Sequence, residues 1–145
     1  MEQELNITNS EMIVMRVIWA LGHAKVEDIS HQISKRQDWS LATVKTLLGR
    51  LVKKDMLETE KDGRCFVYHP LIGEEEAIRL LTRELMTKIC ATKQALAISD
   101  AIEQACLTAQ DVATLTNILQ QKKTVESIEC SCLDDDSDCH CKHHK

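Results

Sequence analysis

An Asp-Gly pair at Asp62-Gly63, set between two strand-like runs and preceded by three helical periodicities, limits this chain to few architectures. The runs cover residues 57–61 and 64–68, and a turn of that composition supplies the positive φ that a tight hairpin demands. Upstream, Thr8 or Ser10 is placed to cap a first helix running to about Leu21. Met12, Met15, Val17, Ile18 and Trp19 form its expected buried side, and Gly22 is a C-terminal stop. A second helix is predicted over residues 26–35, with Val26, Ile29 and Ile33 at helical spacing. Ser40 caps a third, in which Val44, Leu47, Leu48 and Leu51 follow the i, i+3, i+4, i+7 pattern and must face the core.

Three helices followed by a hairpin is the order of a winged helix-turn-helix. In that fold the third helix enters a major groove and the hairpin lies along the phosphate backbone. Ala42, Thr46, Gly49 and Lys53 fall opposite the apolar stripe, with Lys45 and Arg50 flanking them. The strip is short-chained, which suits close approach of a groove. Gly49 costs about 1 kcal/mol against Ala inside a helix, so close approach of DNA or of a neighbouring helix is the motive for keeping it. The bland alternative is an ordinary solvated face, as on most charged helices.

A formal net charge of −5 would argue against nucleic acid, but its distribution reverses that inference. Between Ser40 and Lys54 lie Lys45, Arg50, Lys53 and Lys54 and no acid, whereas residues 126–138 hold six acids and no base. Thr46 and Arg50, with Thr43 and Lys45 nearby, are therefore expected to face bases. Lys53, Lys54, Lys61 and Arg64 are expected to meet phosphates. Aromatic residues are scarce at 3% and aliphatic ones abundant, which favours a mainly α protein.

After the hairpin, residues 74–89 read as a helix with Ile78, Leu81, Leu85 and Ile89 on one face. Residues 94–105 carry Leu96, Ile98 and Ile102. Thr108-Ala109-Gln110-Asp111 resembles a capping box opening a last helix with Val112, Leu115, Ile118 and Leu119. Such helices have more apolar surface than one small subunit can bury, so a homodimer is expected; packing on their own winged helix is the alternative.

Four of the seven cysteines lie in the last sixteen residues, as Cys130-Ser131-Cys132 and Cys139-His140-Cys141 around an acidic spacer. The tail has almost no apolar residues, so hydrophobic burial does not account for its cysteines. Disulfides need an oxidising compartment, and the acidic Met1-Glu2-Gln3-Glu4 is unlike an export signal, so a cytoplasmic location is expected. The apolar stretch near residues 12–21 is interrupted by Arg16 and too short to span a membrane. Each Cys-x-Cys is a two-sulfur pincer, and Cys130, Cys132, Cys139 and Cys141 are the candidate metal ligands, with His140, His143 and His144 as second choices. Cys65, Cys90 and Cys106 default to structural positions, since cysteine is often buried. Neither a Gly-rich phosphate loop nor a helical His-Glu-x-x-His is present, so no enzyme is expected.

Residues 40–54, Ser-Leu-Ala-Thr-Val-Lys-Thr-Leu-Leu-Gly-Arg-Leu-Val-Lys-Lys, resemble the recognition helix of the penicillinase-repressor family, and residues 11–19 resemble its first helix. The likeness covers residues 8–70 closely and the following helices more loosely. It implies a winged-helix domain over 1–72, a helical dimerisation region over 73–124 and a flexible cysteine-rich metal-sensing tail over 125–145. The tail resembles the family's CopY-type copper branch, although six residues separate its cysteine pairs where that branch has four. The resemblance implies a repressor that binds a palindromic double-stranded operator as a dimer, supported by zinc and released by copper(I), ahead of copper-transport genes. A copper chaperone is a further candidate partner. Alternatives are a repressor of the same fold sensing zinc, cadmium or thiol oxidation, or a metal-sequestering protein.

Overall fold

A computed structural model describes residues 5–133 and residue 140. The chain divides into two compact units, Met1–Thr82 and Arg83–Lys145.

In the first unit, α1 (Asn9–Leu21) opens with a complete capping box. The Thr8 side chain accepts from Glu11 N, and the Glu11 carboxylate accepts from Thr8 N. It ends at Gly22, whose φ of 86° is the positive value that favours glycine. A two-residue strand β1 (Ala24–Lys25) leads into α2 (Val26–Ser34), and α3 (Leu41–Lys53) begins at the Ser40 cap. The hairpin is β2 (Leu57–Asp62) and β3 (Cys65–Pro70).

The core lies among the three helices and the base of the hairpin. Val14, Met15, Ile18, Ile29, Val44, Leu48, Leu51 and Leu57 are fully buried in it. The α3 stripe is as expected. On α1 the buried positions are Glu11, Val14, Met15 and Ile18, while Met12, Val17 and Trp19 are half-buried. The first unit takes in the start of the next helix, α4 (Glu74–Thr87). Its Ala77 is fully buried, Leu80 and Leu81 pack on the core, and Trp19 Nε1 donates to Ile72 O at 2.9 Å.

Two features correct the sequence expectation. Asp62 pairs with Cys65, so the turn residues are Gly63 and Arg64 rather than Asp62 and Gly63. Gly63 carries the positive φ, 64°, at the first loop position, where a two-residue hairpin of type II′ requires glycine. The sheet also has three strands in the order β1-β3-β2, because Ala24 and Lys25 pair antiparallel with Tyr68 and Val67. Two residues are too few to leave a periodicity in the sequence.

In the second unit, α4 stops at Thr87, short of Ile89. A turn of 3-10 helix (Ala91–Lys93) follows, then α5 (Gln94–Gln104) and α6 (Ala109–Gln121). The Thr108–Asp111 capping box forms as the sequence indicates. Leu96, Ile98, Ile102, Val112, Ile118 and Leu119 are all exposed. No helix among the described residues is long and apolar enough to cross a membrane.

Candidate nucleic-acid interface and thiol cluster

The exposed side of α3 is built from the residues singled out above. Ala42, Thr43, Lys45, Thr46, Gly49, Arg50 and Lys53 are all solvent-facing, while Val44, Leu47, Leu48 and Leu51 anchor the helix from behind. Thr43 is tied into the N-terminal cap, its N–H donating to Ser40 Oγ at 3.2 Å. The Thr46 hydroxyl donates to Ala42 O at 3.0 Å, which leaves its lone pairs outward as acceptors. Among the described residues, Lys45, Arg50, Lys53, Lys61 and Arg64 form no ion pair with an acid. A Cβ built on Gly49 would meet nothing within 4 Å, so close packing inside the chain does not explain the glycine.

Lys54 has a different setting. Its Nζ donates to Asn6 O at 2.8 Å and to Glu11 Oε2 at 2.7 Å, and Glu11 is 1% exposed. Two of its three donors are thus used inside the fold.

Strand alternation sorts the charges of the wing. Glu58, Glu60 and Asp62 lie on one face of β2, and Leu57, Thr59 and Lys61 on the other. The acidic face is partly neutralised locally. Lys25 Nζ lies 3.6 Å from Asp62, and His69 Nε2 lies 3.1 Å from Glu60. Lys61 stands apart from the acids, and Arg64 occupies the loop at the tip. The three wing acids went unremarked in the sequence, although the period-2 pattern was sufficient to place them.

The second unit holds a cluster that sequence reasoning missed. The sulfurs of Cys90, Cys130 and Cys132 all lie within 4.8 Å of one another, and Cys90 Sγ is 3.4 Å from Cys130 Sγ. Cys90 is thus half-buried beside two tail cysteines, and Cys106 is exposed rather than buried. Around the cluster, Ala91 N–H donates to Ser131 Oγ at 3.4 Å, and Cys132 N–H donates to Cys130 Sγ at 3.4 Å. The Thr92 hydroxyl sits 3.1 Å from Cys90 Sγ. Hydrogen bonding from that hydroxyl, then from the backbone at Ser131 and Thr92, pulls the Cys90 thiol down to about 5. No sequence signal linked Cys90 to the tail. Cys139 and Cys141, the other two expected ligands, lie outside the described residues, as do His143 and His144; His140 is described and exposed.

The profile of one family, penicillinase repressor, matches residues 7–121. A Latilactobacillus sakei relative named "uncharacterized 16.5 kDa protein in ptsI 3' region" is 37% identical over 140 residues, covering 95% of this chain and 96% of its own. The penicillinase repressor of Bacillus licheniformis is 30% identical over 117 residues, 81% of this chain and 91% of its own. A solved structure described as the CopR repressor is 66% identical, covering 47% of this chain and 99% of that one, with a TM-score of 0.41.

Proposed function

This chain belongs to the penicillinase repressor family, and from that premise we propose that it is a metal-responsive transcriptional repressor that grips a palindromic DNA operator as a dimer. The observation that carries the DNA-binding part is the exposed side of α3, acid-free and edged by cations that pair with no acid among the described residues, with Arg64 at the tip of a wing behind it. Arg50 and Thr46 supply the groups that read base edges. Lys45 and Lys53 at the helix margin, Lys61 on the acid-free wing face and Arg64 supply charge to phosphates.

The metal response rests on the donor set. Cys130 and Cys132 offer two sulfurs from one short segment and, with Cys139 and Cys141, an all-thiolate shell fitted to zinc or copper(I). When bound, such an ion supplies a cross-link among these thiolates and no reaction. Zinc is assigned the supporting role and copper(I) the releasing one, with copper-transport genes as the regulated set. Thiol oxidation is a second candidate signal, favoured by the 3.4 Å separation of Cys90 Sγ and Cys130 Sγ. Release by oxidant that a thiol reductant reverses, without any response to copper(I), would select it.

The deciding experiment is a binding titration on the chain's own promoter under reducing conditions, with the zinc-loaded protein challenged by copper(I), silver(I) and cadmium. Binding that falls steeply with salt and is reversed by copper(I) is expected. Absence of binding to any fragment of that promoter rejects a repressor.

Two substitutions divide base from phosphate contacts. Arg50→Ala is expected to weaken operator binding by about 1–3 kcal/mol and relax sequence preference, whereas Arg64→Ala weakens all DNA alike and lowers the salt slope by about 1. Anisotropy titrations at several salt concentrations, on operator and scrambled duplexes, measure both. Unchanged operator affinity for a folded Arg50→Ala protein removes Arg50 from the reading head.

Gly49→Ala separates stability from binding. Filling open space in a helix is expected to stabilise the fold by about 1 kcal/mol. The added methyl should nevertheless weaken operator binding, because it stands on the face that enters the groove. Chemical denaturation and the same anisotropy assay test the two halves; a variant that is more stable and binds equally well shows that no close approach occurs at Gly49.

A further inference from the structure

We propose that Cys90 is a third sulfur ligand of the tail's metal site, so that a bound soft cation fastens Cys130 and Cys132 to the junction between α4 and α5. This rests on the metal-sensing function above and adds to it the place where the tail is held. Cys90 belongs to neither Cys-x-Cys pair and is 40 residues from Cys130 in the chain.

Geometry supports the assignment first. A metal–sulfur bond of about 2.3 Å places the sulfurs of one three-thiolate centre about 4 Å apart. The Cys90, Cys130 and Cys132 sulfurs already lie within 4.8 Å of one another, so closure on an ion needs shifts of less than about 1 Å. The local backbone holds the tail in that position: Ser131, between the two tail cysteines, accepts from Ala91 N–H, next to Cys90. Donors also point at the sulfurs. Cys132 N–H reaches Cys130 Sγ, and the Thr92 hydroxyl stands beside Cys90 Sγ. Such hydrogen bonds stabilise the negative charge that metal-bound thiolates retain.

Ligand chemistry then narrows the ion. Among the described residues the cluster is three sulfurs with no carboxylate or imidazole, a donor set that selects a soft cation. Copper(I), which accepts few thiolates, is satisfied by these three. Zinc in a structural site takes four ligands and must recruit another donor. The two ions therefore make different demands on the same cluster: three thiolates already match copper(I), whereas zinc needs a fourth donor.

The test uses the full chain, anaerobic and with a non-thiol reductant. Copper(I) is delivered from a chelator of known affinity, and free thiols are then alkylated and located by mass spectrometry. Cys90, Cys130 and Cys132 are expected to be protected together, while the exposed Cys106 is alkylated at its metal-free rate. Cys90→Ser should weaken copper(I) binding by at least about tenfold and lower the sulfur coordination number seen by X-ray absorption, with Cys106→Ser as the unaffected control. Alkylation of Cys90 in the copper-loaded parent as fast as in the metal-free protein overturns the assignment, whatever the variants do. So does Cys90→Ser protein with the parent's affinity and sulfur number. If Cys90 is protected but copper(I) leaves operator binding unchanged, the ligand stands and the regulatory function falls. If copper(I) releases the operator while Cys90 stays reactive, the function stands and the ligand falls. No copper binding by the parent rejects both.

Discussion

Val112→Glu combined with Ile118→Glu is expected to convert the protein to a monomer and to reduce operator affinity by about a hundredfold or more. Val112 and Ile118 are 50% and 56% exposed on α6, beside Leu119 at 62%, and Leu96 on α5 is 67% exposed. An apolar surface of that extent, on helices with few buried residues of their own, is the mark of a face that another protein covers. If the operator is palindromic, as proposed, a second copy is the partner it requires, since each half-site needs its own α3. A carboxylate at the centre of such an interface must be desolvated without a countercharge, which costs several kcal/mol per group. Losing the dimer then removes the second reading head, and with it the gain of about 10²–10⁴ that linked binding confers. Sedimentation equilibrium gives the mass and anisotropy the affinity. A double variant that stays dimeric, or a monomeric one that binds the full operator like the parent, rejects these helices as the dimer module.

Lys54→Ala is expected to destabilise the first unit by about 3 kcal/mol, at the lower end of the range for breaking a buried ion pair because Lys54 is itself partly exposed. Removing the ammonium leaves the Glu11 carboxylate inside the fold with the Thr8 N–H as its remaining donor among the described residues. For a unit of this size the loss corresponds to a fall in midpoint temperature of about 12–24 °C. Replacing both partners, as Glu11→Met with Lys54→Met, should recover all but the cap contribution of about 1 kcal/mol. Calorimetry of the two variants beside the parent decides the matter. A Lys54→Ala loss below about 1 kcal/mol would show that water reaches Glu11 and takes over from the lysine.

The parts of this fold that were legible beforehand are those whose signals are local. The α3 stripe of Val44, Leu47, Leu48 and Leu51 with its Ser40 cap lies within twelve consecutive residues, and both capping boxes are four-residue patterns. The exposed basic side of α3 follows from the same rotation. What escaped is long-range. Nothing local marks Glu11 as buried; its partner Lys54 lies 43 residues away. β1 is too short for any pattern and exists because Val67 and Tyr68 offer it an edge. The hairpin turn was displaced by one residue because Asp62 and Gly63 both favour turns, and only pairing across the strands chooses between them. Cys90 had no local signal at all; its meaning depends on which remote segment returns to it.

The spacing of Cys90 and Cys130 along the chain has a thermodynamic corollary. All of α5 and α6 lies between them. Any link joining the two sulfurs, through an ion or directly, closes a ring around both helices. In the chain-entropy view, a ring of about 40 residues removes roughly 4 kcal/mol worth of disorder from the unfolded ensemble. That is a large quantity for helices that bury so little of themselves. Their folding would then depend on two conditions at once, the presence of another subunit and the closure of the ring. A signal that opens or reshapes the ring need not push on α3 at all; it can act by altering how much folded material is available to pair.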